Sequence, residues 1–402
     1  MIHRSFEGEI RRQRGRWFGV ATLAASGVWV AYVLASMIRA TWLNGAAIRS
    51  RTGKSVVRQV CEQWRVALVH AIAPRWYYGF ELFDESHRRR SAEYLQRGET
   101  KRGAYRQLKR AFDGPPSPLT DKIAFAARCH ANNLRAIPVL LAIRKDTAAT
   151  NRRERMRLPA EDLFVKPNHG KGGRGAERWR YRDRGRYEGA SGTVFSESQL
   201  VHHLRGLPFD ESLIVQPRRV NHPALADLCN GALATIRIVT CRNEHGRFEI
   251  TNAVLRMAQG DNHVVDNFHA GGLAAKVDLA SGTIGRATDL GLRPDAGWRD
   301  THPNSGAPIT GRVVPCWSEA LTLVVRAHAA FADRILIGWD VGIMADGPEL
   351  VEGNGGPDLD IIQRTHREPL GNGRMGQLLA FHLRRLAEGE RPSVLPALSQ
   401  AS

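Results

Sequence analysis

From Leu163 onward, short runs of Val, Ile, Leu and Phe alternate with stretches whose apolar residues recur at helical spacing, and glycine turns separate them. The pattern predicts strands at DLFVKP (162–167) and SLIVQP (212–217), with a helix at SESQLVHHLRG (196–206) between them. ALATIRIVTCRN (232–243) and GRFEITNAVLRM (246–257) predict a hairpin turning at His245 and Gly246. AAKVDLASGTIGRAT (274–288) predicts another, turning at Ser281 and Gly282. An amphipathic helix follows from Glu319 to Asp333, and ILIGWDVGIMADGPELVEGN (335–354) predicts a strand, a turn and a second strand. Upstream, LTDKIAFAARCHANN (119–133) predicts a helix capped by Thr120 or Asp121, and AIPVLLAI (136–143) a buried strand. Hairpin-joined strands interspersed with helices predict an α+β fold on antiparallel sheets, without internal repeats.

The N-terminal part has a different pattern. Residues 46–112 carry helical spacing, interrupted at Pro74, and DGPPSP (113–118) forms a stiff linker. Before them, residues 17–38 run 22 positions without a charge, behind RRQRGR. That length just spans a bilayer. It exceeds a usual signal-peptide core, and no clear A-x-A cleavage site follows. A spanning helix, a helix lying in the interface or packed on the protein, and a cleaved signal all stay open. Arginines on both flanks leave its orientation unread.

Charge sharpens this division. The 402 residues contain 58 Lys and Arg against 40 Asp and Glu, a net +18. Residues 1–115 hold 21 basic residues against 9 acidic ones, so 12 of the 18 surplus charges lie there. Such a surplus suits an anionic membrane surface or a nucleic acid. No nucleic-acid motif accompanies it, which argues against the second partner. Five scattered cysteines without a C-x-x-C indicate neither a disulfide framework nor a zinc site and fit reduced cytoplasmic thiols.

Candidate chemistry gathers in four places. LFVKPNHGKGGRGAERW (163–179) satisfies G-x-G-x-x-G, but alternating arginines and aromatics follow where a dinucleotide-binding turn needs a helix. Ala176 and Glu177 follow Gly175, where a P-loop needs Lys and Ser or Thr. A hairpin over Gly170, Gly172, Gly173 and Gly175 that brings backbone amides to phosphates fits better, with the Lys166 ammonium beside it; a mobile basic surface hairpin is the plainer alternative. Asp340 and Glu352 fall on neighbouring strands, and Asn354 shares the face of Glu352, a hard-oxygen set suited to Mg²⁺ on phosphates or to a solvated hairpin. Arg237, on an otherwise apolar strand, fits a buried ion pair or a guanidinium on a transferring phosphate. Asn267 precedes Gly271 and Gly272, and Gln216 ends a strand where it could meet an adenine edge beside the backbone of Ile214 and Val215. No Ser/His/Asp or Cys/His nucleophile arrangement is present.

In order along the chain, Asp121-Lys122, VKP with its glycines, IVQP, TIRIVT, NFHAGG, WD and EGN resemble the ATP-grasp superfamily. NHPAL (221–225) followed by ALATIRIVT and VDNFHAGG resembles its sugar-transfer-associated family, related to glutamate ligase-like proteins. The resemblance implies two α+β subdomains clamping ATP. Lys122 and Lys166 would contact phosphates, Gly170 to Gly175 would form the lid, and Gln216 with Ile214 and Val215 would hold adenine. Asp340, Glu352 and Asn354 would bind Mg²⁺, or Mn²⁺ in its place, and Arg237 and Asn267 would stabilise the transferring phosphoryl group. The implied activity is carbon–nitrogen ligation through an acyl phosphate, on unidentified carboxylate and amine substrates, with a cell-envelope saccharide or peptide precursor as the expected class. A non-catalytic nucleotide-binding regulator of a membrane glycosylation assembly, or a nucleic-acid binder acting through the basic N-terminus, is the alternative. The expected organisation is a basic, apolar segment over 1–45 that could attach to the inner face of the membrane through residues 17–38, and a basic helical region over 46–115. An ATP-grasp domain over 116–390 follows, with its lid subdomain at about 160–217, and then a tail over 391–402. Because this N-terminal part replaces the α/β acceptor-binding domain of many such ligases, His222, His269 and Lys276 are the candidates to line the acceptor site.

Overall fold

The computed structural model describes residues 2, 18–112, 117–144, 157–170, 172–208, 212–261, 263–293 and 295–391, and side chains from residue 27 onward within the first helix. Most of the expected linker at 113–118, the tail at 392–402 and the side chains at the start of the apolar run at 17–38 lie outside the described residues.

Two helices open the described chain. α1 (Phe18–Thr52) continues unbroken past residue 45, and α2 (Val56–His70) returns along it after a turn at Gly53, where φ is +72°. Gln59 Nε2 donates to the Gly45 carbonyl at 3.0 Å and Gln63 Nε2 to Thr41 Oγ1 at 2.9 Å, which fixes the antiparallel register of the pair. Short helical turns between Arg75 and Lys109 then lead to the main body, stacking Trp76, Phe80 and Tyr94 in a buried column.

α3 (Lys122–Ala131) begins at Asp121, whose carboxylate accepts from the amides of Ile123 and Ala124, so Asp121 rather than Thr120 is the cap. After it come β1 (Leu141–Ile143), β2 (Leu163–Pro167), β3 (Glu177–Tyr181), β4 (Arg186–Gly189), β5 (Val194–Ser196) and β6 (Leu213–Pro217). They form one antiparallel sheet in the order β1-β6-β2-β3-β4-β5. α4 (Glu197–Gly206), capped reciprocally by Ser196 and Gln199, packs Leu200 and Leu204 against Leu163, Val165 and Trp179.

The run AIPVLLAI is a strand only over its last three residues. Pro138 has no amide hydrogen to donate, and the segment changes partner around it. Ile137 N donates to Leu350 O at 3.0 Å on one side, whereas Leu140 N donates to Val215 O at 2.9 Å on the other. One short segment thus fastens both sheets of the molecule.

The second sheet comprises β7 (Thr235–Arg242), β8 (Phe248–Met257), β9 (Leu273–Val277), β10 (Ile284–Thr288), β11 (Trp298–Arg299), β12 (Leu336–Met344) and β13 (Gly347–Asn354), ordered β11-β10-β9-β8-β7-β12-β13. Sequence neighbours pair as hairpins, except that β12 comes back to lie beside β7. α5 (Trp317–Ala330) covers one face with Leu323, Val324 and Ala327 against Ile236, Ile238 and Trp339. α6 (Asp360–His366) and α7 (Arg374–Ala387) cover part of the other. Because side chains alternate along a strand, burying Ile236 and Ile238 under α5 sends Arg237 to the opposite face.

Candidate functional site

Between the two sheets lies a cleft of about 860 Å³, its open mouth included. Phe164, Lys166 and Gln216 enter it from the small sheet, and Thr235, Arg256, Asp340 and Glu352 from the large one. The sequence placed Lys166 and Gln216 some distance from Asp340 and Glu352; the fold brings all four to one cavity.

On the large sheet, acids and arginines interlock. Asp340 is the direct cross-strand partner of Arg237 on one side and of Glu352 on the other. Arg237 donates to Asp340 through Nε at 2.5 Å and Nη2 at 3.0 Å. Arg256 Nη2 approaches the same carboxylate at 2.9 Å, while its Nε lies 3.4 Å from Asp266 Oδ2. Asp266 in turn accepts from Thr235 N at 2.8 Å and Thr235 Oγ1 at 2.5 Å. Burial alone would push the Asp340 carboxyl up, but the Arg237 and Arg256 charges outweigh it and hold the group well below the usual carboxylate range. For Asp266 burial wins, and its carboxyl rises despite Arg256. Gly338 gives the lattice room: a Cβ there would stand 3.1 Å from Arg237 Cδ and 2.7 Å from Pro357 Cβ.

The glycine hairpin joins β2 to β3 and rests on the loop after β8. Gly172, Gly173 and Gly175 have φ of +67°, +72° and +70°, a backbone open to glycine at little cost. Asn267 Nδ2 donates to Gly172 O at 2.9 Å, and a Cβ on Gly173 would come within 2.6 Å of Val265. Arg178 Nη1 adds a bond to His263 O at 2.9 Å. From the other side Lys122 Nζ donates to the carbonyls of Asn168 at 2.9 Å and Gly170 at 3.0 Å. Lys122 and Asn267 therefore act on the hairpin backbone in this conformation. Lys166 instead projects into the cleft, its Nζ 5.8 Å from the centroid of Phe164. Burial pushes its ammonium down to about 8, with Lys122 reinforcing the effect and Glu352 and Asp340 opposing it.

A profile described as sugar-transfer associated ATP-grasp matches residues 116–373, well over half of the chain. The chain belongs to that family. No curated protein matches it. Among solved structures, D-alanine–D-alanine ligase from Bacillus anthracis complexed with ATP is 9% identical, with a TM-score of 0.38 over 67% of this chain and 68% of that one. L-amino acid ligase from Bacillus licheniformis is 11% identical, with a TM-score of 0.37 over 75% of this chain and 58% of that one. N5-carboxyaminoimidazole synthetase from Staphylococcus aureus complexed with ADP is 9% identical, with a TM-score of 0.34 over 60% of this chain and 46% of that one. The chain thus spans under half the length of that synthetase, and likeness at this level adds nothing to the family match.

In this ATP-grasp chain Gln216 is buried near the end of β6, and its Nε2 donates to Ile137 O at 3.1 Å. Ile214 and Val215 lie on a strand paired on both edges, so their backbone groups serve the sheet and their side chains the core. Neither lines the cleft.

The Mg²⁺ that the fold family implies requires hard oxygen donors. Glu352 and Asn354 are two residues apart on β13, and Asn354 Nδ2 donates to Glu352 Oε1 at 3.3 Å. These two fit a cation that takes its other donors from phosphates and water. Asp340 has both oxygens engaged by arginines. Among the described residues no group of three His, Cys, Asp or Glu side chains is arranged to hold a metal by itself.

The candidate acceptor residues do not line the cleft. His222 Nδ1 accepts from Ala224 N at 3.1 Å, His269 Nε2 pairs with Asp360 Oδ2 at 2.8 Å, and Lys276 is exposed across from Val254. Arg256 and Asp266 escaped the sequence reading. Arg256 follows the apolar run Ala253-Val254-Leu255 much as Arg237 follows Ile236, and Asp266 immediately precedes Asn267.

Proposed function

We propose that this chain is an ATP- and Mg²⁺-dependent carboxylate–amine ligase. The γ-phosphoryl group passes to a substrate carboxylate, giving an acyl phosphate and ADP; an amine then attacks the acyl carbon, forms the amide and expels phosphate. The observation that carries the reading is the shared cleft, in which Lys166 and Gln216 of one sheet face Asp340, Glu352 and Arg256 of the other under a pinned glycine hairpin. On this reading Lys166 neutralises phosphate charge, and Arg237 and Arg256 hold Asp340 in place. Gln216, its amide fixed on Ile137, offers its oxygen to the adenine amino group. Lys122 and Asn267 hold the hairpin shut, so that water is kept from the acyl phosphate. Bound Mg²⁺ would be held by Glu352 and Asn354 and would offset charge on the phosphates. Transfer then depends on positioning and charge neutralisation, without a protein nucleophile.

The proposal extends to organisation and place. Residues 116–390 form the catalytic unit, with the small sheet as its lid, and the basic N-terminal helices hold it at the inner face of a membrane. A saccharide or peptide precursor of the cell envelope is the proposed substrate class. One observation favours the second reading, a nucleotide-binding regulator that forms no bond: Asp340 is already occupied by two arginines.

Calorimetric titration of ATP with and without Mg²⁺ into the full chain and its Glu352→Gln variant tests the site. Mg²⁺-dependent binding that weakens at least ten-fold in the variant is expected, followed by ADP release with a panel of acids and amines. ATP binding that ignores both Mg²⁺ and the substitution would overturn the placement of the site.

A further inference from the structure

The described large apolar residues that face solvent are concentrated on α1. Val33, Met37, Ala40, Asn44 and Ile48 form a buried stripe along this helix at three- to four-residue spacing. The opposite stripe holds Val28, Ile38 and Trp42, which are 71%, 69% and 81% exposed, with Tyr32 and Leu34 at its flanks. Exposed Arg39 and Arg49 lie on the same side of the helix.

The buried stripe excludes one geometry. Residues 33–48 spend a full side on the protein, so this stretch does not run through the middle of a bilayer surrounded by lipid. Among the described residues no helix is long and apolar enough to cross a membrane.

Charge identifies the occupant of the free side. Between residues 18 and 70 six Lys and Arg stand against a single acid, Glu62. That acid is already paired with Lys54, Arg58 and Arg88. A second copy of the chain would bring the same positive charge to the contact. A surface that is apolar beneath and anionic above complements the stripe: Trp at the headgroup boundary, aliphatic side chains among the upper acyl groups, arginines at the phosphates.

We infer that α1 lies flat in the interface of an anionic lipid bilayer, inserting Val28, Ile38 and Trp42 and setting Arg39 and Arg49 against lipid phosphates. This names the surface and the mode of the membrane attachment proposed above, and rests on that part of the reading. It holds the cleft beside the membrane without a spanning segment among the described residues.

The test is co-sedimentation of the full chain with phosphatidylcholine vesicles, with and without phosphatidylglycerol, for the wild type and an Ile38→Asp/Trp42→Asp variant. Wild type is expected to pellet with the anionic vesicles, to bind pure phosphatidylcholine at least ten-fold more weakly, and to be released by alkaline carbonate. The variant should lose about ten-fold in partitioning or more while keeping its ATP binding and its unfolding midpoint. Anionic-vesicle binding that survives the double substitution, or retention through the carbonate wash, overturns the inference while leaving membrane attachment standing. Failure to bind either vesicle overturns both. A dimer seen by light scattering that the double substitution abolishes, without vesicle binding, gives the stripe to self-association and likewise overturns the inference.

Discussion

Arg237 and Asp340 stand directly opposite one another on neighbouring antiparallel strands, and their side chains close a two-bond clamp that Arg256 completes from the next strand. Deleting the carboxylate would strand two guanidinium groups in a buried setting. Asp340→Ala is therefore expected to lower unfolding stability by about 3–5 kcal/mol in urea titration. A loss below about 1 kcal/mol would show that the arginines find water or other partners. The sign with pH follows from the depressed carboxyl: its stabilisation is present above the unfolded value of 3.8 and is lost as pH falls below it.

Lys166 gives the opposite kind of pH dependence. Its folded value of about 8 lies below the ordinary 10.5, so the protonated side chain disfavours folding. That penalty is fully present below about 8 and is relieved as pH rises to 10.5. Lys166→Met should thus be the more stable protein near neutrality, with the gap closing over that window. ATP phosphates would restore the charge, so nucleotide binding between about pH 8 and 10 should take up a proton. Binding enthalpies that do not vary with the ionisation enthalpy of the buffer would refute this.

The hairpin's contacts with the loop at 263–267 are separable from global stability. Asn267→Ala removes the bond to Gly172 O, a net contribution of about 1 kcal/mol, and should weaken ATP binding about five-fold while speeding proteolysis near residue 172. Gly173→Ala should do more, because its Cβ would meet Val265 at 2.6 Å with φ at +72°. Equal proteolysis in all three proteins would mean that these contacts do not govern opening.

Much of the architecture was legible because three hairpins of the large sheet pair locally and announce their turns. His245-Gly246 and Ser281-Gly282 are examples, and Gly246 and Gly282 both adopt positive φ. That Asp340 and Glu352 fall on neighbouring strands was legible for the same reason, but their direct opposition was not, because a bulge between Asp340 and Val341 shifts the register by one residue. The pairing of Arg237 with Asp340 was not: it depends on which distant strands become neighbours, and periodicity is silent about that. The divided role of AIPVLLAI was hidden similarly, for Pro138 reads locally as a flaw in a strand rather than as the point where the chain passes between sheets. Gln216 lies at the cleft and Lys122 beside the hairpin, and their partners, Ile137 O and the carbonyls of Asn168 and Gly170, are backbone atoms that side-chain chemistry does not announce.

The return of β12 to β7 also sets the order in which the molecule can be made. The two carry residues 103 positions apart, so their pairing closes one of the longest loops in the sheet and comes late. Until then β7, whose eight residues are all buried in the finished protein, is an open sheet edge carrying an arginine with no acid opposite. A nascent chain released before residue 344 would present that edge to its neighbours, so the clamp at the heart of the cleft is also the last guard against aggregation during synthesis.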